Sequence, residues 1–255
     1  VSRGDANAPS SAGRNGVPQR RHPQRALCII GAGAAFVAVA ADLALQYTPI
    51  AAHVGARDYS YLLDVPPGRM LFGHFAGVVA VIVEILGFLG VAVGIESRGL
   101  RHVFFGFASF GFAIGAAFHA MFAAIGLTLQ RATAAGSPPE LVSGLATAVW
   151  PAHHGLGAII LGCIVVLSCL LSIAIARGRT RYPRWMALLT PLPVAILFFI
   201  VQIVFPPLRL VLFPAGLNLA NLILFVSAAV NVKPLNGPAQ ANGSAASGGP
   251  ALRAS

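Results

Sequence analysis

Charge is what this sequence has least of. Only 9% of its 255 residues are Asp, Glu, Lys or Arg, and 57% are hydrophobic. Soluble domains carry about 25% charged residues. A water-soluble fold has too few charges here to cover its surface, so the lipid bilayer must be part of the solvent. Seven acidic residues are present, no two of them adjacent. That spacing rules out the Asp-rich clusters that hold diphosphates in membrane prenyltransferases. Lys233 is the single lysine, and no glycine-rich phosphate loop ending in Lys exists. Paired CxxC, HExxH and GxSxG motifs are also missing. Without an arginine-rich helix there is no voltage sensor. The three cysteines, Cys28, Cys163 and Cys169, all fall inside apolar runs. An odd number at membrane depth excludes a disulfide framework and leaves them as small apolar packing residues.

Arginine, glycine and alanine are plentiful by contrast, and with Arg so dominant over Lys the composition reads as GC-rich bacterial coding. Val1 where Met is usual fits an alternative start codon. The net charge of +10 does not form a nucleic-acid footprint, because the basic residues sit in short segments between apolar runs. Residues 1–25 and 234–255 are polar and rich in Gly, Ser, Asn and Pro, and are expected to be disordered cytoplasmic tails.

Six apolar stretches lie between the tails, at about 26–48, 70–95, 103–129, 146–176, 185–205 and 214–232. Each holds the roughly 20 residues a helix needs to cross the hydrocarbon core. The expected fold is an all-α polytopic bundle of six transmembrane helices in a cell's inner (plasma) membrane. Its orientation follows from counting. With the N-terminus inside, 13 of the 17 basic residues are internal, and only Arg57, Arg69, Arg131 and Arg209 are external. Both ends are therefore expected in the cytoplasm. The basic start and Ala38-Val39-Ala40-Ala41 imitate a secretory signal with a cleavage site. The apolar run continues through Leu43 and Leu45, which favours a retained helix.

Polar groups at membrane depth are costly and mark function or a wet cavity by default. Here they gather toward one leaflet. Asp42 lies near the end of the first helix, His74 and Glu84 on the second, and His119 on the third. Trp150, His153 and His154 open the fourth, Gln202 closes the fifth, and Asn218 and Asn221 share one face of the sixth. A carboxyl in hydrocarbon needs a partner or a proton, which makes Asp42 and Glu84 the leading candidates. With His119 or His153 as base, they suit acid–base chemistry such as isomerisation or cyclisation of an isoprenoid- or lipid-like substrate. His74, Trp150, Gln202, Asn218 and Asn221 would contact that substrate. Two other readings remain open: a haem or metal site built from the histidines, and a transporter or non-catalytic subunit. Against transport, the polar groups stop halfway and no internal repeat is evident. Each polar residue also has a plain structural reading, the asparagines as interhelical glue and the histidines as interfacial side chains.

Gly111, Gly115 and His119 form one stripe, and Gly90 and Gly94 another, spaced for close helix packing. The loop Arg177-Gly178-Arg179-Thr180-Arg181-Tyr182-Pro183-Arg184-Trp185 before the fifth helix is basic and aromatic. Its arginines suit anionic headgroups, and Tyr182 and Trp185 suit the interfacial belt. Together with Asp42-Leu43, Phe118-His119-Ala120 and Gly216-Leu217-Asn218-Leu219-Ala220, this loop resembles that of a family of uncharacterised bacterial six-pass membrane proteins. The resemblance covers residues 26–232 and implies the fold, with no reaction attached.

Overall fold

A computed structural model describes residues 23–47 and 59–231. The two tails and the 48–58 connection, with Arg57 and Lys233, lie outside the described residues. The described residues form helices joined by short connections, six of them α-helices. They are α1 (Pro23–Gln46), α2 (Pro67–Val93), α3 (Arg98–Ala134), α4 (Pro139–Ala176), α5 (Pro191–Val204) and α6 (Arg209–Asn231). Five spans are long and apolar enough to cross a membrane: α1 to α4, and α6 with the short turn before it, Pro206–Asn231.

The fifth apolar stretch differs from expectation. It divides into a 3-10 helix, Arg184–Leu189, and the 14-residue α5. Thr190 and Pro191 make the break: Thr190 is extended (φ −69°, ψ 154°), as a residue before proline prefers. Fourteen residues rise about 21 Å, short of the roughly 30 Å hydrocarbon core. Hydroxyls stitch the break to α4. Ser172 Oγ lies 2.6 Å from Thr190 Oγ1, and the Leu192 N–H donates to Ser168 Oγ at 3.1 Å. At the other end of the chain, Pro23, Gln24 and Arg25 form the first turn of α1 and are not tail.

The helices pack in the spatial order α4–α3–α2–α1–α6–α5, with α5 returning to α4 mainly through that hydroxyl-rich break. α4 and α6 do not pack on one another as neighbours. α1 to α4 and α6 each bury one stripe at three- and four-residue spacing, while α5 buries only Pro191 and Val194. On α2 it runs Gly73, Gly77, Ala80, Glu84, Gly87 and Val91. On α1 it runs Gly31, Ala35, Ala38, Asp42 and Leu45. The opposite faces keep large apolar side chains exposed, Phe36, Phe75, Phe199 and Ile203 among them, as lipid contact requires. Phe88, Phe104, Phe112 and Phe225 interlock at the centre with ring centroids 4.9–6.1 Å apart.

The tightest seam joins α1 to α2. A Cβ on Gly31 would strike the Gly87 backbone and come within 3.2 Å of the Phe225 ring. The expected glycine stripes divide instead among several partners. Gly111 faces Cys163 of α4, Gly115 faces Val81 of α2, and Gly94 meets Tyr182 of the α4–α5 loop.

Tyr182 is also a correction. It is not in an interfacial belt but 3% exposed, wedged beneath the bundle, while Trp185 remains exposed. Its hydroxyl donates to the Val91 carbonyl at 3.1 Å and accepts from Gln24 Nε2 at 2.9 Å. Arg181, assigned by sequence to headgroups, donates to Gln24 Oε1 at 2.8 Å. The loop thus ties the start of α1 to the end of α2, reinforced by an antiparallel bridge between Ile95 and Thr180. This end of the bundle is called the Tyr182 end below, and the opposite one the Tyr59 end.

Replacing Gly31 with Ala is expected to lower stability by about 1–3 kcal/mol, the usual cost of overpacking. Gly33→Ala, two residues away with open space around it, should unfold in detergent with the wild-type free energy or up to about 1 kcal/mol more, since alanine favours the helix.

Candidate functional site

The buried stripes of α1, α3 and α6 each carry one polar side chain at matching depth. Asp42 follows Ala38 by one turn, His119 follows Gly115 by one turn, and Asn218 follows the Ala215-Gly216 pair that opens the buried part of α6. The three meet. Asn218 Nδ2 donates to Asp42 Oδ2 at 2.7 Å, and His119 Nε2 stands 3.4 Å from Asp42 Oδ1. The imidazole fits because α2 presents Gly77 beside it: a Cβ there would lie 2.6 Å from Nδ1. Nδ1 has no partner. A buried acceptor left alone is better tolerated than a buried N–H left alone. The imidazole's proton therefore belongs on Nε2, facing the Asp42 carboxyl group.

These groups form the polar wall of a cavity of about 280 Å³. Asp42, Gln46, His119 and Asn218 supply its polar atoms, and Phe112, Phe118, Ile160, Leu161, Leu167 and Phe213 much of its apolar surface. It occupies the space left where α4 and α6 do not meet. Leu161 and Phe213 line it and are also exposed on the outside of the bundle, 59% and 48% respectively. The cavity therefore opens sideways between α4 and α6, onto the face that contacts lipid.

One turn deeper on α6, Asn221 Nδ2 donates to Glu84 Oε2 at 2.9 Å, and both residues are fully buried. Glu84 Oε1 and Asn221 Oδ1 are left without partners. A carboxyl group holding its proton on Oε1 would donate to Oδ1 and close an acid–amide ring, satisfying both atoms at once. Glu84 does not line the cavity. It joins α2 to α6.

The other sequence candidates are elsewhere. His153 stacks flat on Phe118 (4.0 Å, 8°) and meets the edge of Phe122, and its Nδ1 lies 2.9 Å from the Tyr59 hydroxyl. Phe118 stands between His153 and the Asp42 cavity, so His119 and His153 are not brought together around one space. Trp150 stacks on His154, and His74 packs against Phe75. Gln202 donates to its own helix at the Phe198 carbonyl, in a separate groove between α5 and α6. Among the described residues, no three His, Cys, Asp or Glu side chains are arranged to hold a metal ion.

Sequence reasoning missed Tyr59 and Gly77, and named Phe118 only within the Phe118-His119-Ala120 resemblance, without a role at the site. Gly77 could have been found, since it continues the Gly73 spacing on the Glu84 stripe. Tyr59 gave no such signal. It takes a left-handed backbone (φ 55°), uncommon for a tyrosine, as it enters the 3-10 helix Ser60–Asp64.

The chain belongs to the family of unknown function DUF6796, whose match covers residues 21–234. No curated protein and no solved structure matches it.

Two outcomes follow from this geometry. Glu84→Gln should be nearly neutral, within about 0.5 kcal/mol, because an amide pair keeps both hydrogen bonds. Glu84→Ala should cost about 1–3 kcal/mol through the stranded Asn221. Thermal unfolding of the two variants separates them. Burial also pushes the Tyr59 phenol up to about 12. The folded value exceeds the usual value of about 10, so the contribution of Tyr59 is complete below that pH and disappears as pH rises through the folded value. Tyr59→Phe should flatten that alkaline part of the stability profile.

Proposed function

For this member of DUF6796 we propose a six-pass protein of the plasma membrane with both ends in the cytoplasm, binding and converting a lipophilic molecule in the Asp42 cavity. Thirteen of 17 basic residues fall on the cytoplasmic side in that topology. The fifth crossing is made by the Arg184–Leu189 turn and α5 in series, about 12 Å and 21 Å of rise. The Tyr182 end is then cytoplasmic, and the Asp42 cavity lies in the outer half of the bilayer.

The observation that carries the functional reading is a carboxyl–imidazole pair, 3.4 Å apart, at the wall of an apolar cavity. Apart from Gln46, Asn218 and Cys163 the remaining wall is hydrocarbon, which disfavours charged and strongly hydrated groups. Asp42, holding a proton, can give it to one substrate carbon and, as a carboxylate beside the His119 N–H, take one from the neighbouring carbon, which leaves the pair unchanged. That sequence is an isomerisation: a double bond moves and no atom is gained or lost. Asn218 holds the carboxyl in place through its second oxygen. Glu84 and Asn221 keep α2 and α6 in register, and His153 with Tyr59 closes the outer end of α4. The chemistry needs no nucleotide, in keeping with the missing phosphate motifs.

Membranes from cells producing the wild type, Asp42→Asn, or no protein provide the test. Chromatography and mass spectrometry of their extracted lipids should show one species replaced by an isomer of identical mass, only with the wild type. Identical lipid profiles in all three would contradict conversion.

A further inference from the structure

A second hollow lies beside the first. Ala195, Phe198, Gln202 and Ile203 of α5 face Arg209, Leu212 and Gly216 of α6 around a groove of about 570 Å³. Phe213 and Leu217 line both this groove and the Asp42 cavity. The two hollows therefore share one wall, two side chains a single turn apart on α6. The groove has polar groups of a different kind. Arg209, in the first turn of α6, is cationic and stands over the Phe213 ring at 5.8 Å. Gln202 Nε2 gives one hydrogen to the Phe198 carbonyl and retains a second. Donors line the groove, and a carboxyl lines the cavity.

We propose that groove and cavity are two compartments of one site for a single-chain membrane amphiphile with an anionic head. Arg209 and Gln202 take the head, and the chain passes Phe213 and Leu217 to reach Asp42 and His119. This deepens the reading given above and rests on it, since the reacting carbons are those lying in the Asp42 cavity. The rise from Arg209 to Leu217 is about 12 Å, so the reacting carbons are some distance along the chain and not next to the head. At about 280 Å³, the cavity is at the lower edge of small-molecule pockets, roughly 300–1,000 Å³. It has room for one chain and not for two. The exposed Leu161 and Phe213 let that chain enter from the bilayer without crossing water. A guanidinium matches a phosphate or carboxylate through paired hydrogen bonds, which sets the class of head.

Cys163 lines the cavity and reports occupancy without any reaction being known. With Cys28→Ser and Cys169→Ser in place it is the sole thiol, and its alkylation by N-cyclohexylmaleimide can be followed in phosphatidylcholine nanodiscs. Dodecyl phosphate should protect it at about tenfold lower concentration than dodecanol, the worth of one charge-assisted hydrogen bond. Arg209→Gln should abolish that preference, and Arg209→Lys should keep part of it. Equal protection by the two probes, or a preference that survives Arg209→Gln, would overturn the assignment of the head. Phosphatidylglycerol in the discs protecting as well as dodecyl phosphate would overturn the single-chain assignment. Free alkylation that neither probe slows would instead remove the lipophile-binding cavity, and the proposed function with it. Should Cys163 be too shielded to alkylate, Gly157→Cys on the same wall takes its place as reporter.

Discussion

Two asparagines on α6 hold this bundle's polar interior together. Asn218 gives an N–H to Asp42 on α1, and Asn221 gives one to Glu84 on α2. Three residues apart, they share a helix face and commit it to both neighbours at once. The hydrophobic effect gives no preference for one apolar face over another in a bilayer. A buried carboxyl does, because any rotation of α6 that breaks these bonds strands Asn218, Asn221 and Glu84 in hydrocarbon and leaves Asp42 with His119 alone. The azimuth of α6 is therefore fixed by hydrogen bonds, and its depth by their spacing.

The cavity follows from that commitment. With its polar face turned to α1 and α2, α6 cannot also close on α4. α5 does not fill the gap, since Thr190 and Pro191 shorten it and its firm attachment to α4 is at the Tyr182 end. A sideways opening remains, with Asp42 and His119 at its back. His119 reaches its position only because Gly77 leaves room for the ring. Packing glycines and polar pins thus act on one site: the glycines bring backbones close, and the pins select which faces meet.

Much of this was legible in the sequence. Hydropathy located α1 to α4 and α6, because bilayer thickness sets length and lipid excludes charge. The polar residues worth attention were also evident, Asp42, Glu84, His119, Asn218 and Asn221 among them. Their pairing was not legible, because it depends on the rotation of each helix, and composition carries no azimuth. Gln202 and His153 have the right depth and a different neighbourhood for that reason. Tyr182 was misplaced because an aromatic beside arginines reads the same at a lipid interface and beneath a bundle. Only Gly94 opposite its ring and Gln24 at its hydroxyl decide between them. The fifth helix was overextended because apolar length was counted without allowing for the extended backbone that Pro191 imposes on Thr190.

The account depends on α6 being pinned by its amides, and a double-mutant cycle between Asp42 and Asn218 measures that pin directly. Unfolding free energies for Asp42→Ala, Asn218→Ala and the double variant give the coupling between the two side chains. A coupling of about 1 kcal/mol or more, with the double variant less damaged than the sum of the singles, is the predicted result. Strict additivity would mean that the two side chains do not meet, and the polar wall of the cavity would dissolve with that finding.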